Sequence, residues 1–306
     1  MFEKFGIHPT SSVTLPATRG KLKRHEMMAT HTRFGVGGPA DVYFEPADEE
    51  DLADFLRNKG DLPIIVLGAG SNVLVRDGGI MGAVIHLPKN FGGLTRQGNS
   101  ITCGAGVLNA DLARFALPNE LSGFEFLAGI PGTVGGALRM NAGAYGSEIK
   151  DIMESVRVMD NKGAVQEMQT DDTFLSYRQN AMPEDWIFLT ATLKGTPKKA
   201  EEIAKTMADL KQLRESRHPI GAKTCGSTFK NVTNVPAWKL IEKAGCRGLK
   251  RGGAIVSEKH CNFLINENHA TAEDLEELGL EVQKRVLDTC GIQLEWEVKR
   301  LGLKKK

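Results

Sequence analysis

Between Ser122 and Gly146 the chain carries seven glycines, and the run Leu127-Ala-Gly-Ile-Pro-Gly-Thr-Val-Gly-Gly136 bares the backbone over consecutive turns. Glycine enters the left-handed region freely, and successive unshielded N–H groups form concavities that hold oxyanions. Two further segments share the feature: Thr32-Arg-Phe-Gly-Val-Gly-Gly38, and Val66-Leu-Gly-Ala-Gly-Ser-Asn-Val-Leu-Val75, which follows an apolar strand. A single glycine-rich loop reads as a tight turn in a β-rich domain. Three in succession point to a guest that approaches the main chain closely, such as a cofactor bearing a polyphosphate.

The rest of the composition narrows the partners. With 306 residues, 41% of them apolar, the chain can bury a full core and divide into two domains. Lys plus Arg total 39 against 38 Asp plus Glu, so a net charge of +1 gives no electrostatic footprint for nucleic acid, which is not expected as a partner. No apolar run approaches the roughly 18 residues of a membrane span, and no secretory leader is read at the N-terminus. The expected compartment is the cytoplasm, without a membrane partner. The five cysteines are odd in number, widely spaced and free of any C-x-x-C pair, which argues against a disulfide framework and a zinc site. No metal is expected, and Cys225 reads as a small buried filler.

The organisation is α+β. A polar, irregular extension covers residues 1–30, and from Arg33 to Lys194 short apolar runs alternate with Gly, Asn and Asp turns, the texture of many short strands. One early helix is predicted over Asp48–Asn58, with acids in its first turn and Leu52, Phe55 and Leu56 on one face. It leads into a buried strand, Leu62–Leu67. A boundary near Gly195–Lys199 separates a first domain of two subdomains, residues 31–197, from a second, residues 198–291. The second is expected to open with a helix bearing Ile203, Met207 and Leu210, stopped by Pro219. Then come a short helix at Trp238–Ala244, a strand at Asn262–Ile265, and a Thr271-capped helix with Leu275, Leu278, Val282 and Val286 on one stripe. In residues 292–306 strict alternation of Ile292, Leu294, Trp296 and Val298 predicts a strand whose other face holds Gln293, Glu295, Glu297 and Lys299.

A Rossmann fingerprint is disfavoured: the third glycine of G-x-G-x-x-G falls at position 73, where Val73 stands, and Pro39 disturbs the looser match at Gly35. Backbone N–H groups of Gly68–Asn72, with the Ser71 hydroxyl and the Asn72 amide, suit a pyrophosphate without a helix dipole. This strand, G-x-G-S-N, strand unit resembles the FAD-binding fold of the vanillyl-alcohol oxidase and p-cresol methylhydroxylase type. No His lies within Gly68–Val75 for covalent attachment, so the resemblance implies a noncovalent flavin.

Seven motifs in order resemble the UDP-N-acetylenolpyruvoylglucosamine reductase family over roughly residues 30–302: the three glycine segments, Met140-Asn-Ala-Gly-Ala-Tyr-Gly146, Tyr177-Arg178, Gly226-Ser-Thr-Phe-Lys-Asn231 and Leu294-Glu-Trp-Glu-Val298. The family implies FAD reduced by NADPH, a UDP-sugar substrate, and a step of peptidoglycan synthesis, with a smaller α+β substrate-binding domain beside the flavin domain. Carried residue by residue, it implies cofactor contacts at Phe34, Gly68, Ala69, Gly70, Ser71, Asn72, Gly129, Ile130, Pro131, Gly132, Thr133, Gly135, Gly136, Asn141, Ala142 and Gly143. It implies catalytic roles for Arg178, Ser227 and Glu297, and substrate contacts at Arg217, Lys230, Asn231 and His260. Taken alone, Arg178 equally suits a surface ion pair, Ser227 a turn, and Glu297 the wet face of a strand. The family's Tyr-Arg-x-Ser reads Tyr177-Arg-Gln-Asn180 here, and the short stretch at 192–199 matches the subgroup without an extended, substrate-covering Tyr loop.

Overall fold

The computed structural model describes residues 15–89, 91–172, 175–232 and 235–305; residues 1–14 of the extension lie outside the described residues. The first sheet contains β1 (Lys21–Met27), β2 (Pro39–Glu45), β3 (Ile64–Leu67) and β5 (Ile80–His86), with β4 (Val73–Val75) lying outside it, and its order is β1-β2-β5-β3. The part of the extension expected to be irregular is thus an ordered edge strand, antiparallel to β2, with Lys23 opposite Tyr43. Its side chains are mostly half-buried or exposed, so no apolar alternation betrays it. Strands β2, β5 and β3 run parallel, β3 at the second edge, and interior β5 is buried along nearly its whole length, as a strand covered on both faces must be.

Helix α1 (Glu49–Asn58) forms where predicted. Asp48 caps it by accepting the Asp51 N–H at 2.9 Å, and Phe55 stacks on Phe44 of β2 with ring centroids 4.5 Å apart. A second, antiparallel sheet runs Val165–Gln169, Met153–Met159, Ile187–Lys194, β7 (Ser100–Gly104), β6 (Leu94–Gln97). Two short helices missed by periodicity, α2 (Asn109–Ala116) and α3 (Val134–Met140), complete this unit. Each spans barely two turns and α3 contains two glycines, so burial against the sheet, not propensity, makes them helical.

Helix α4 (Ala200–Arg217), expected to open the second domain, packs on the turn Glu125–Gly129 of the first unit, with Met207 against that core. The second core is built by α5 (Ala237–Lys243), α6 (Ala272–Cys290) and a small sheet of Lys250–Arg251, Ala254–Val256 and Leu264–Asn266. Thr271 caps α6 in a capping box with Asp274, and Gly291 closes it at φ 67°. We take the division between the units to lie after α4, with Phe34, Val36 and Leu74 crossing to the second core.

The C-terminal segment departs from expectation. The ladder is confined to Lys299–Leu301, parallel to β4. Leu294 and Val298 are buried and Gln293 and Glu295 exposed as predicted, but Glu297, expected on the open face, is largely buried, and the backbone bonds go singly to the 228–230 loop: Lys230 N–H donates to the Glu295 carbonyl and Glu297 N–H to the Thr228 carbonyl, both at 2.8 Å. Alternation reports which way side chains face; it does not report a ladder.

The two units are bolted together at Glu276, which is 4% exposed. Arg76 forks onto it with two bonds of 2.8 Å, Arg300 adds a contact at 3.2 Å, and Asp77 accepts the Ala272 and Glu273 N–H groups at the start of α6. The Arg76 hydrogen bonds hold the Glu276 carboxyl below the usual range despite burial. A lowered carboxylate pKa stabilises the fold above its unfolded value and loses that contribution as pH falls through the folded one. Glu276→Gln should therefore lower unfolding free energy by about 2–4 kcal/mol at neutral pH, measured by urea denaturation, with the deficit shrinking in acid; a deficit constant with pH would contradict this role.

Candidate active site

Three glycine segments meet around a cleft of about 360 Å³. Gly68, Ala69, Gly106, Leu108 and Thr133 form one wall, and Thr32 and Arg33 another. Gly70 sits at φ 60°, where a Cβ would run into the His31 carbonyl, and the Arg33 N–H donates to the Gly70 carbonyl at 3.0 Å. A Cβ on Gly68 would stand 2.6 Å from Thr133 Oγ1. The sequence therefore needs glycine here for close approach of the chain to itself as much as to a ligand. The N–H groups of Ala69, Gly70 and Ser71 donate to no acceptor among the described residues, and Ala69 lines the cleft.

Neighbouring side chains lock the loops. Ser71 Oγ donates to the Pro131 carbonyl at 2.8 Å, and Asn109 Nδ2 donates to the Ile130 carbonyl at 3.2 Å. Thr133 Oγ1 accepts the Gly136 N–H and caps α3, while Gly135 packs on Ala105. Gly129 presents its carbonyl to Arg214, a half-buried guanidinium that makes no carboxylate ion pair among the described residues. These facts fit a dinucleotide: bare amides for a diphosphate and a cleft shaped by absent side chains. Ser71 and Asn72 turn out to brace the protein, since Asn72 Nδ2 donates to the Glu297 carbonyl at 3.1 Å and the Asn72 carbonyl accepts the Lys299 N–H. Phe34 is a core residue, 2% exposed, its carbonyl taken by Asn266. His31, Arg33, His86 and Lys89 line the cleft and were missed. The 32–38 motif pointed near the first two; nothing in sequence marked the others.

Arg178, Glu297 and the Ser227 loop converge. Arg178 stands in a two-residue hairpin between Leu175–Ser176 and Gln179–Asn180, at φ 54°. A left-handed arginine costs about 1–2 kcal/mol, so its surroundings must impose it. Its Nε donates to Glu297 Oε1 at 3.0 Å, Nη1 to the Asn141 carbonyl at 3.3 Å and Nη2 to the Gly143 carbonyl at 2.7 Å, and it stacks on Tyr177. Asn180, at the family's serine position, donates to the Leu138 carbonyl of α3 and accepts the Met182 N–H, so the amide bridges α3 and the chain after the hairpin. Ser227 pairs with Phe263 in an isolated bridge, one residue before the carbonyl that accepts Glu297 N–H. Burial pushes the Glu297 carboxyl above its ordinary range, and Arg178 and Lys230 pull it only partway back.

The implied substrate contacts scatter more. Lys230 pairs with Glu295 at 3.3 Å and faces Glu297. Asn231 caps α5 through a 3.0 Å bond from Ala237 N–H. Arg217 is exposed at the end of α4, and His260 lies in an aromatic cluster with His218 and Phe263. Burial first, then the charges of His260, Arg214, Arg217 and Lys259, push the His218 imidazole down to about 4. Ala142 and Gly143 spend their polar groups inside the protein rather than toward the cleft: Ala142 N–H bonds the Ala137 carbonyl, and Gly143 pairs with Glu148. Among the described residues no cluster suits a metal ion and no helix is long and apolar enough to cross a membrane.

Known proteins match this arrangement. The model of the UDP-N-acetylenolpyruvoylglucosamine reductase C-terminal domain fits residues 218–301, and an FAD binding domain model fits residues 40–169. The UDP-N-acetylenolpyruvoylglucosamine reductase of Paramagnetospirillum magneticum is 49% identical over 292 residues, 95% of each chain, and that of Rhodospirillum rubrum is 50% identical over 295, 94% of this chain and 92% of the relative. The crystal structure of the reductase from Thermus caldophilus aligns with a TM-score of 0.82 at 33% identity, over 94% of this chain and 100% of that one. The flavin fold implied by the glycine loops is thereby borne out, and the chain belongs to the UDP-N-acetylenolpyruvoylglucosamine reductase family.

Proposed function

We propose that this chain reduces UDP-N-acetylglucosamine enolpyruvate to UDP-N-acetylmuramate for peptidoglycan synthesis, in the cytoplasm, with Arg178, Ser227 and Glu297 as the groups that act on the substrate. The observation that carries the reading is the Arg178–Glu297 contact at 3.0 Å, joining the flavin-side hairpin to the C-terminal segment beside the Ser227 loop. FAD, held noncovalently at the Gly68 and Thr133 loops and reduced by NADPH, supplies the hydride when bound.

Hydride arrival at the enolpyruvyl β-carbon drives negative charge from the α-carbon into the adjoining carboxylate. Arg178 answers that charge. A guanidinium has five N–H groups, and bonds to Glu297, Asn141 and Gly143 use one on each nitrogen. One N–H on each terminal nitrogen is left without a hydrogen bond, with Glu148 Oε1 3.6 Å from Nη1, and these groups can donate to a substrate carboxylate. Ser227 then gives a proton to the α-carbon. A serine hydroxyl is a weak acid, so this transfer depends on fixed geometry, exclusion of water and a partner that steadies the alkoxide. Glu297, its carboxyl raised by burial, keeps a proton to higher pH than an ordinary glutamate and is placed to share it with the reacting groups. Lys230 and Arg217 offer positive charge toward the UDP diphosphate.

Gly70→Ala should cut FAD affinity by at least about tenfold, because alanine meets both a strained φ and the His31 carbonyl; fluorescence titration of the apoprotein with FAD measures it, and wild-type affinity would remove the Gly68 loop from the binding site. In stopped-flow absorbance, Ser227→Ala should be reduced by NADPH normally while reoxidation by the enolpyruvyl substrate slows about 10²–10⁴-fold; equal slowing of both halves would reject the proton-donor role. If the protonated form of Glu297 acts, reoxidation is fast below its raised pKa and falls as pH climbs through it, a limb that should vanish in Glu297→Gln. Persistence of that limb in the variant assigns it to another group.

A further inference from the structure

The mechanism asks Arg178 to hold one orientation, yet the arginine sits in a two-residue hairpin at a left-handed φ that its own sequence disfavours. The restraint comes from the other end of α3. Asn141, fully buried, is the C-cap of that helix at φ 39°, a conformation asparagine tolerates better than most residues. Both N–H groups of its side chain and one lone pair of its oxygen are used inside the protein. Nδ2 donates to Glu148 Oε2 at 3.1 Å and to the Ser176 carbonyl at 3.0 Å, and Oδ1 accepts the Lys150 N–H at 3.1 Å.

Each of these bonds bears on Arg178. Ser176 ends the strand that enters the Arg178 hairpin. Glu148 places Oε1 3.6 Å from Arg178 Nη1, a second carboxylate on the side away from Glu297's Nε bond, and is itself tethered to Lys150 at 3.0 Å. The Asn141 main-chain carbonyl accepts from Nη1 directly. Both amide N–H groups are spent inside the protein and the residue is fully buried, so the side chain offers a cofactor no donor.

We propose that Asn141 is a positioning residue for Arg178, aiming the guanidinium through its own carbonyl, the Ser176 strand end and the Glu148 carboxylate, and that it takes no direct part in holding FAD. Because α3 spans only Val134–Met140 between the Thr133 cap and Asn141, the helix also sets the distance from the cofactor loop to the arginine. The proposal rests on Arg178 serving the substrate carboxylate.

Asn141→Gly retains the left-handed backbone and the carbonyl but deletes the amide; Asn141→Asp keeps the acceptor for Lys150 while setting a carboxylate against Glu148. Both should bind FAD within about twofold of wild type and be reduced by NADPH at the wild-type rate, while reoxidation by the enolpyruvyl substrate slows roughly 10- to 100-fold. Glu148→Gln should slow the same step by a smaller factor. Loss of FAD affinity in Asn141→Gly, or a lowered melting temperature with both half-reactions intact, overturns the proposal. Should the Asn141 variants fail to fold, Glu148→Gln decides: wild-type reoxidation there rejects the relay. Arg178→Lys separates the two readings, since intact reoxidation in that variant refutes the assigned role of Arg178, whereas a stall there beside normal Asn141→Gly refutes only the positioning role.

Discussion

The charge pair between Arg178 and Glu297, 119 residues apart in sequence, organises this molecule. Neither partner is intrinsically at ease. The arginine occupies a left-handed turn, and the glutamate is buried enough that desolvation outweighs the pull of two cations. Such a pair persists only when the surrounding chain over-determines both ends, and polar groups held in that way are found where chemistry requires a single geometry. The glutamate end is fixed by the Thr228 carbonyl and the Asn72 amide, the arginine end by carbonyls of residues just after α3.

That arrangement makes the glycine loop at Gly68–Asn72 a structural junction as well as the loop proposed to cradle the cofactor. Its N–H groups at Ala69, Gly70 and Ser71 have no acceptor among the described residues, while its last residue grips the backbone of Glu297, and the strand that follows pairs with Lys299–Leu301. Arg76 and Asp77, directly after the strand, fasten α6 of the second unit. The glycine loop, Glu297 and α6 are therefore joined by short covalent and hydrogen-bonded paths.

Much of this was legible from residue types. The capped helices at Glu49–Asn58 and Ala272–Cys290 and the place of strand β3 follow from local rules that tertiary packing did not override, whereas β3 proves mostly half-buried at a sheet edge and Gly68 and Gly70 are required by contacts with Thr133 and His31. The failures have physical causes. Strand β1 is polar on both faces because it lies at a sheet edge, α2 and α3 are too short to display a period, and Ile292–Val298 alternates without forming a ladder because its partner is a loop. Asn72 and Asn141 were read as cofactor contacts from their neighbours in the motifs; their amides instead bind carbonyls and carboxylates contributed by distant segments.

What the sequence by itself determined was the chemistry available: bare amides at three glycine segments, an arginine, a hydroxyl and a carboxylate, because side-chain type and backbone freedom are properties of the residues. Which of them meet, and which merely hold others in place, was decided by the tertiary structure. Hydrogen-bond partners and desolvation depend on groups distant in sequence, so the raised carboxyl of Glu297, the forced turn at Arg178 and the buried, bonded amide of Asn141 exist only in the folded chain.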